Sequence, residues 1–96
     1  MTSSATIDLD MTIVRNSGLL DSEIDGETVM MSVEQGNYYG LNQVGTEIWK
    51  LIESPVIVRD ICSTLVKEYK VEQSACEKEV LSFLNDLSSE KIVVLS

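Results

Sequence analysis

Apolar and polar residues alternate near the start of the chain: Ile7, Leu9, Met11 and Ile13 are separated by Asp8, Asp10 and Thr12. A period of two puts one set on one face of an extended backbone, so this stretch is expected as a half-buried strand or arm. Residues 1–6 carry no such pattern and are expected to be disordered. After Asn16-Ser17-Gly18, a second strand is expected over residues 19–24. Asp25-Gly26 tolerates positive φ at both positions, as a two-residue hairpin requires. The strand over 28–33 then sets Val29, Met31 and Val33 on one face and Met30 and Ser32 on the other. Gln35-Gly36-Asn37 is expected to turn the chain into a returning strand over 38–41, completing an antiparallel meander.

Beyond residue 41 the period changes. Asn42 is a suitable N-cap, and Val44, Ile48, Leu51 and Ile52 form a helical stripe bordered by Trp49. Ser54-Pro55 ends that helix. Ile57, Ile61, Leu65 and Tyr69 recur every four residues, with Cys62 and Val66 beside them, which predicts a second helix. A third is expected over residues 73–89, with Cys76, Val80, Phe83, Leu84 and Leu87 on one face, and residues 92–95 make a short apolar ending. The fold class expected is α+β: a three-stranded antiparallel β-meander packed on a three-helix bundle, winged helix-turn-helix-like, in a single domain over residues 1–96.

Hydrophobic residues make up 44% of the 96, enough for one core and too many for a disordered acidic tail. Apolar runs are too short to span a bilayer, and MTSSATIDLDM has neither a basic region nor an apolar block, so a cytoplasmic protein without membrane contact is expected. The net charge of −9 repels phosphate backbones. The winged shape usually binds DNA, yet QSACEKEVLSFLNDLSSE sets one lysine against four acids, so no nucleic acid partner is expected. Histidine is absent, and with it the commonest metal ligand and general base. Cys62 and Cys76 form no C-x-x-C unit and are read as buried free thiols. No nucleophile–base pair, phosphate loop or metal motif is present, so the chain is expected to be neither an enzyme nor a holder of a cofactor or metal.

With the elements placed, VMMSVEQGNYYGLNQVGTEIWKLIE and IVRDICSTLVKEYKVEQSACEKEVLSFLNDL resemble the PqqD-like family, the peptide-recognition domains of pathways that modify ribosomally made peptides. Tyr39, Leu41, Asn42, the Ile48-Trp49 pair, and the spaced Ile61, Leu65, Tyr69 and Phe83-Leu84 carry the likeness. A free-standing copy with YYGLN is similar to the small leader-binding proteins of lasso peptide biosynthesis. The resemblance implies a winged-helix-like fold that takes up a precursor's leader peptide as an added antiparallel strand, packed against the third helix. It also implies two partners, a cysteine-protease-type leader peptidase and an ATP-dependent cyclase. Service to a different modifying enzyme, such as a radical SAM enzyme, is the alternative within the same family.

The physics of strand addition shows where specificity must arise. About five new hydrogen bonds contribute roughly 0.5–1.5 kcal/mol each, while ordering six residues costs about 1–2 kcal/mol apiece. Two or three buried side chains, at roughly 1.5–3 kcal/mol each, must therefore decide affinity. The groove expected from the sequence has Tyr38, Tyr39, Gly40 and Leu41 on one wall, Met30 beside an outward Tyr38, and Glu77, Leu81 and Leu84 of the third helix on the other. Core packing stands as the second role open to Tyr39, Leu41 and Leu81, and Gly40 is expected to admit a close backbone. Asp21, Glu23, Asp25, Glu27 and Glu34 form a solvated face able to steer a basic segment.

Overall fold

In the computed structural model, which describes residues 6–32 and 36–96, the hairpin signal is realised as read. Strands β2 (Leu19–Ile24) and β3 (Glu27–Ser32) pair antiparallel about Asp25 and Gly26, whose φ values are 55° and 82°. Strand β4 (Asn37–Leu41) pairs with β3 on the other side, so the meander runs β2-β3-β4 with β4 at an edge. The expected disorder of residues 1–5, the placement of Val33 and the first part of the Gln35-Gly36-Asn37 turn lie outside the described residues. Asn37 itself belongs to β4.

The arm at the start of the chain departs from expectation. Residues 7–11 run as irregular chain, and the strand β1 is Thr12–Arg15. It joins no strand of the meander. It lies between β5 (Val56–Ile57) and β6 (Val93–Leu95), antiparallel to both, in a second three-stranded sheet. Over the described residues the fold is therefore α+β with two small sheets and three helices.

Helix α1 (Gln43–Leu51) starts as the N-cap rule requires, with the Asn42 side chain accepting from the Gly45 N–H at 2.8 Å. Helix α2 (Val58–Tyr69) ends at Lys70 in the left-handed conformation, and α3 spans Gln73–Ser89. Ile48, Trp49, Ile52, Ile61, Leu65, Val80, Leu84 and Leu87 meet in one core with Ile13, Met30, Leu41, Ile92 and Val93. Burying side chains of this size stabilises by about 1.5–3 kcal/mol each.

Polar contacts fasten the meander to α1. Thr46, 2% exposed, accepts the Thr28 N–H through its hydroxyl at 2.9 Å. The Trp49 indole N–H donates to Asp21 at 3.1 Å, and Lys50 pairs with Glu23 at 3.6 Å. Arg15 lies 4.2 Å over the Trp49 ring and donates to the Trp49 carbonyl, which ties the second sheet to the same helix.

Candidate functional site

The register of the meander decides which side chains face the helices. Met30 stands opposite Tyr39, Thr28 opposite Leu41, and Met31 opposite Tyr38. Leu41 and Met30 are buried, Tyr39 is half-buried, and Tyr38 projects outward at 74% exposure. The alternation expected for residues 38–41 holds, but the place of Met30 does not. Met30 lies inside, 1% exposed, and Met31 and Val29 accompany Tyr38 on the outer face. A turn over residues 35–37 would set Met30 on the face of Tyr38. The pairing of Ser32 with Asn37 leaves four residues between the strands and reverses the parity.

Where β4 runs into α1, an apolar cleft of about 570 Å³ opens. Gly40, Leu41 and Asn42 form its rim on the strand side, and Val44, Gly45 and Ile48 its floor on α1. Leu65 and Tyr69 close it from α2, followed by Val71 of the α2–α3 connection. The α3 wall is Ala75, Cys76, Glu79, Val80 and Phe83. Ala75, Glu79 and Phe83 recur every four residues and make one ridge of that helix.

The wall expected from the sequence lies elsewhere. Leu84 is wholly buried and packs in the core. Glu77 and Leu81 belong to a different ridge and do not line the cleft. That ridge continues to Asn85, whose amide accepts from the Ile7 N–H at 2.9 Å and donates to the Leu81 carbonyl at 2.8 Å. It therefore faces the irregular N-terminal segment. Glu77 accepts from the Gln73 side chain at 2.7 Å. Of the eight expected residues, Gly40 and Leu41 line the cleft, Tyr39 bonds to Glu90 outside its lining, and Tyr38 borders a separate depression on the outer face, under which the buried Met30 lies. Phe83 was legible only as part of a core stripe. The signal marking it as a wall is the four-residue spacing it shares with Ala75 and Glu79 on the same ridge of α3.

A close approach at Gly45 sets the width of the cleft. A Cβ on Gly45 would lie 3.2 Å from Leu41 Cβ and 3.3 Å from Phe83 Cζ, so the missing side chain lets the Phe83 ring rest against α1. Farther along, the Tyr39 hydroxyl donates to Glu90 at 2.6 Å. That bond, foremost, raises the Tyr39 pKa above the ordinary tyrosine value, because the phenolate would lose it. Among the described residues no group of acids and cysteines is placed to hold a metal ion. Cys62 and Cys76 are buried free thiols, with Cys76 Sγ 3.9 Å from the Cys62 carbonyl oxygen; burial pushes the Cys62 thiol up to about 11. They are inert packing groups. The cleft offers an apolar surface, one carboxylate at Glu79 and a strand edge.

Comparison with known proteins fits this geometry. The family described as "Coenzyme PQQ synthesis protein D (PqqD)" matches residues 27–93. A solved structure, "TbiB1 in Complex with the TbiA(beta) Leader Peptide", superposes with a TM-score of 0.78 at 28% identity, covering 83% of this chain and 93% of the other. No curated protein matches the chain.

Proposed function

The chain belongs to the PqqD family, and from that premise we propose that it binds the leader of a ribosomally made precursor peptide without modifying it. The observation that carries this reading is the apolar cleft opening beside Gly40 and Leu41, at the end of an edge strand. A peptide laid along β4 satisfies the backbone groups of that edge, and its side chains enter the cleft between the strand and Phe83. The likeness to a protein solved with a leader peptide supports the same mode. In this reading residues 1–96 act as one peptide-recognition domain, a winged helix-turn-helix-like scaffold serving a peptide in place of DNA.

The YYGLN segment favours a lasso peptide pathway, in which the bound leader is delivered in the cytoplasm to a cysteine-protease-type peptidase and then to the ATP-dependent cyclase. No described helix is long and apolar enough to cross a membrane. Delivery works through effective concentration: a leader held beside the peptidase meets its active site more often than a free one. Titrating a labelled leader should give saturable one-to-one binding with a Kd near or below about 1 μM. Absence of saturation, or chemical change of the peptide by the purified protein alone, overturns the reading. Precursor cleavage by the peptidase at the same rate with and without this protein overturns delivery.

A further inference from the structure

One carboxylate stands in an otherwise uncharged cleft. Glu79 is exposed on α3 between Ala75 and Phe83, and among the described residues no other charged side chain lines the cleft. The polar side chain beside it on the strand rim, Asn42, is already held by the Gly45 N–H of the α1 cap. Glu79 has no counter-ion of its own. Among the described residues the ion pairs join Lys50 to Glu23 and Arg59 to Asp10. Its neighbours three and four positions away on the helix are Ala75, Cys76, Ser82 and Phe83, so α3 offers it no cation. All seven Lys and Arg of the chain lie outside the cleft lining. The charge is felt within the cleft: burial foremost raises the Cys76 pKa, and Glu79 adds to the rise.

The course of α3 beside β4 fixes what would meet this carboxylate. Glu90 lies beside Tyr39, and Phe83 beside Leu41, so the helix runs antiparallel to the strand. Glu79 stands one turn farther on, about 5–6 Å beyond the end of β4. A peptide added in the antiparallel sense of the meander extends the inward row of Thr28 and Leu41 by one residue, whose side chain meets Phe83. The next side chain on the same face lies two residues toward the peptide's N-terminus, about 7 Å away. That step matches the turn from Phe83 to Glu79. A Lys or Arg there lays its carbon stem along Val71 and Ala75 and brings its charged head to the carboxylate.

We propose that Glu79 is a specificity-determining residue, selecting leaders that carry a Lys or Arg two residues N-terminal to the apolar side chain seated on Phe83. This rests on the leader-binding reading above and adds a charge rule to an apolar site. A leader with an acid at that position is rejected by like charge, even where its apolar anchor fits.

The test uses the full chain and a labelled synthetic leader of its precursor, with leader variants in which each Lys or Arg is replaced in turn by Glu. Glu79 is exposed, so Glu79→Gln and Glu79→Lys should fold with melting temperatures close to that of the parent. On the native leader, Glu79→Gln should lose about two- to fivefold in affinity and its binding should depend less on salt. Glu79→Lys should lose about tenfold or more. One charge-reversed leader should bind the parent poorly and Glu79→Lys well, and its reversed position should lie two residues before an apolar one. Affinity of Glu79→Lys for the native leader within about twofold of the parent overturns the proposal. So does a loss that no charge-reversed leader restores, and restoration from a position C-terminal to the anchor overturns the register. Failure of the parent to bind any leader is a different result and strikes the proposed function itself.

Discussion

Tyr39 donates its hydroxyl hydrogen bond to Glu90 at 2.6 Å, joining the edge strand of the meander to the residue that ends α3. The bond favours the neutral phenol, so the Tyr39 pKa is raised in the folded state. A raised folded pKa contributes stability that is fully present below the unfolded value of about 10 and is lost as pH rises through the folded value. Tyr39→Phe should therefore flatten the alkaline arm of a stability–pH curve measured by chemical unfolding, and leave the neutral arm with the same shape. An unchanged alkaline arm would show that the bond does not form in solution.

The cleft wall is tested by two substitutions on α3. Phe83→Ala removes the largest apolar surface facing the peptide, and leader binding should weaken by roughly 1–3 kcal/mol, about 5- to 150-fold in Kd. Leu81→Asp lies on the ridge under the N-terminal segment. It should lower the melting temperature and leave the affinity of the folded fraction close to that of the parent. The reverse pattern, measured by calorimetric titration and thermal unfolding, would move the peptide to the other side of α3.

Gly45→Ala sets two effects against each other. Alanine favours the helix by about 1 kcal/mol over glycine, while its Cβ meets Leu41 and Phe83 at 3.2 and 3.3 Å. Relief comes most readily from the Phe83 ring, which borders the open cleft. Stability should change little, and leader affinity should drop because the displaced ring narrows the site. Unchanged affinity would mean that the crowding is relieved elsewhere.

The two thiols should resist modification. Cys62 is fully buried with its pKa pushed up to about 11, mainly by burial, and burial raises that of Cys76 as well. At neutral pH both are protonated and shielded, so a thiol reagent should label the native protein far more slowly than the unfolded chain. Cys76 lines the cleft, so bound leader should slow its labelling further and leave that of Cys62 unaltered. Fast labelling of Cys62 in the native state would contradict its burial.

How far the sequence reveals this protein follows from the range of the interactions. The Asp25-Gly26 turn, the Asn42 cap and the extent of α3 depend on neighbours a few residues away, and each is legible. The second sheet brings together residues 12–15, 56–57 and 93–95, whose pairing leaves no local trace beyond short apolar runs. Met30 shows how little separates the two faces of a strand: the length of one loop sets the parity, and parity sends a side chain to the core or to water. Which ridge of α3 borders the cleft has a similar origin. Glu77 and Leu81 lie on a different ridge from Ala75, Glu79 and Phe83, and with about 100° of rotation per residue the ridge that meets a cleft is set by neighbours distant in sequence.

The fastening of the meander to α1 has a mechanical consequence. Among the described residues no hydrogen-bonded ladder joins the two sheets, and the meander meets the rest of the protein chiefly through that helix. The hydroxyl of Thr46 sits near the middle of the attachment, holding the Thr28 N–H. Such an arrangement is a hinge on α1 set close to the Asp25-Gly26 tip, because Thr28 lies two residues beyond Gly26, with the opposite end of the meander, where Ser32 pairs with Asn37, farther from it. In the proposed binding mode, a peptide between β4 and Phe83 would bear on this attachment from the β4 side.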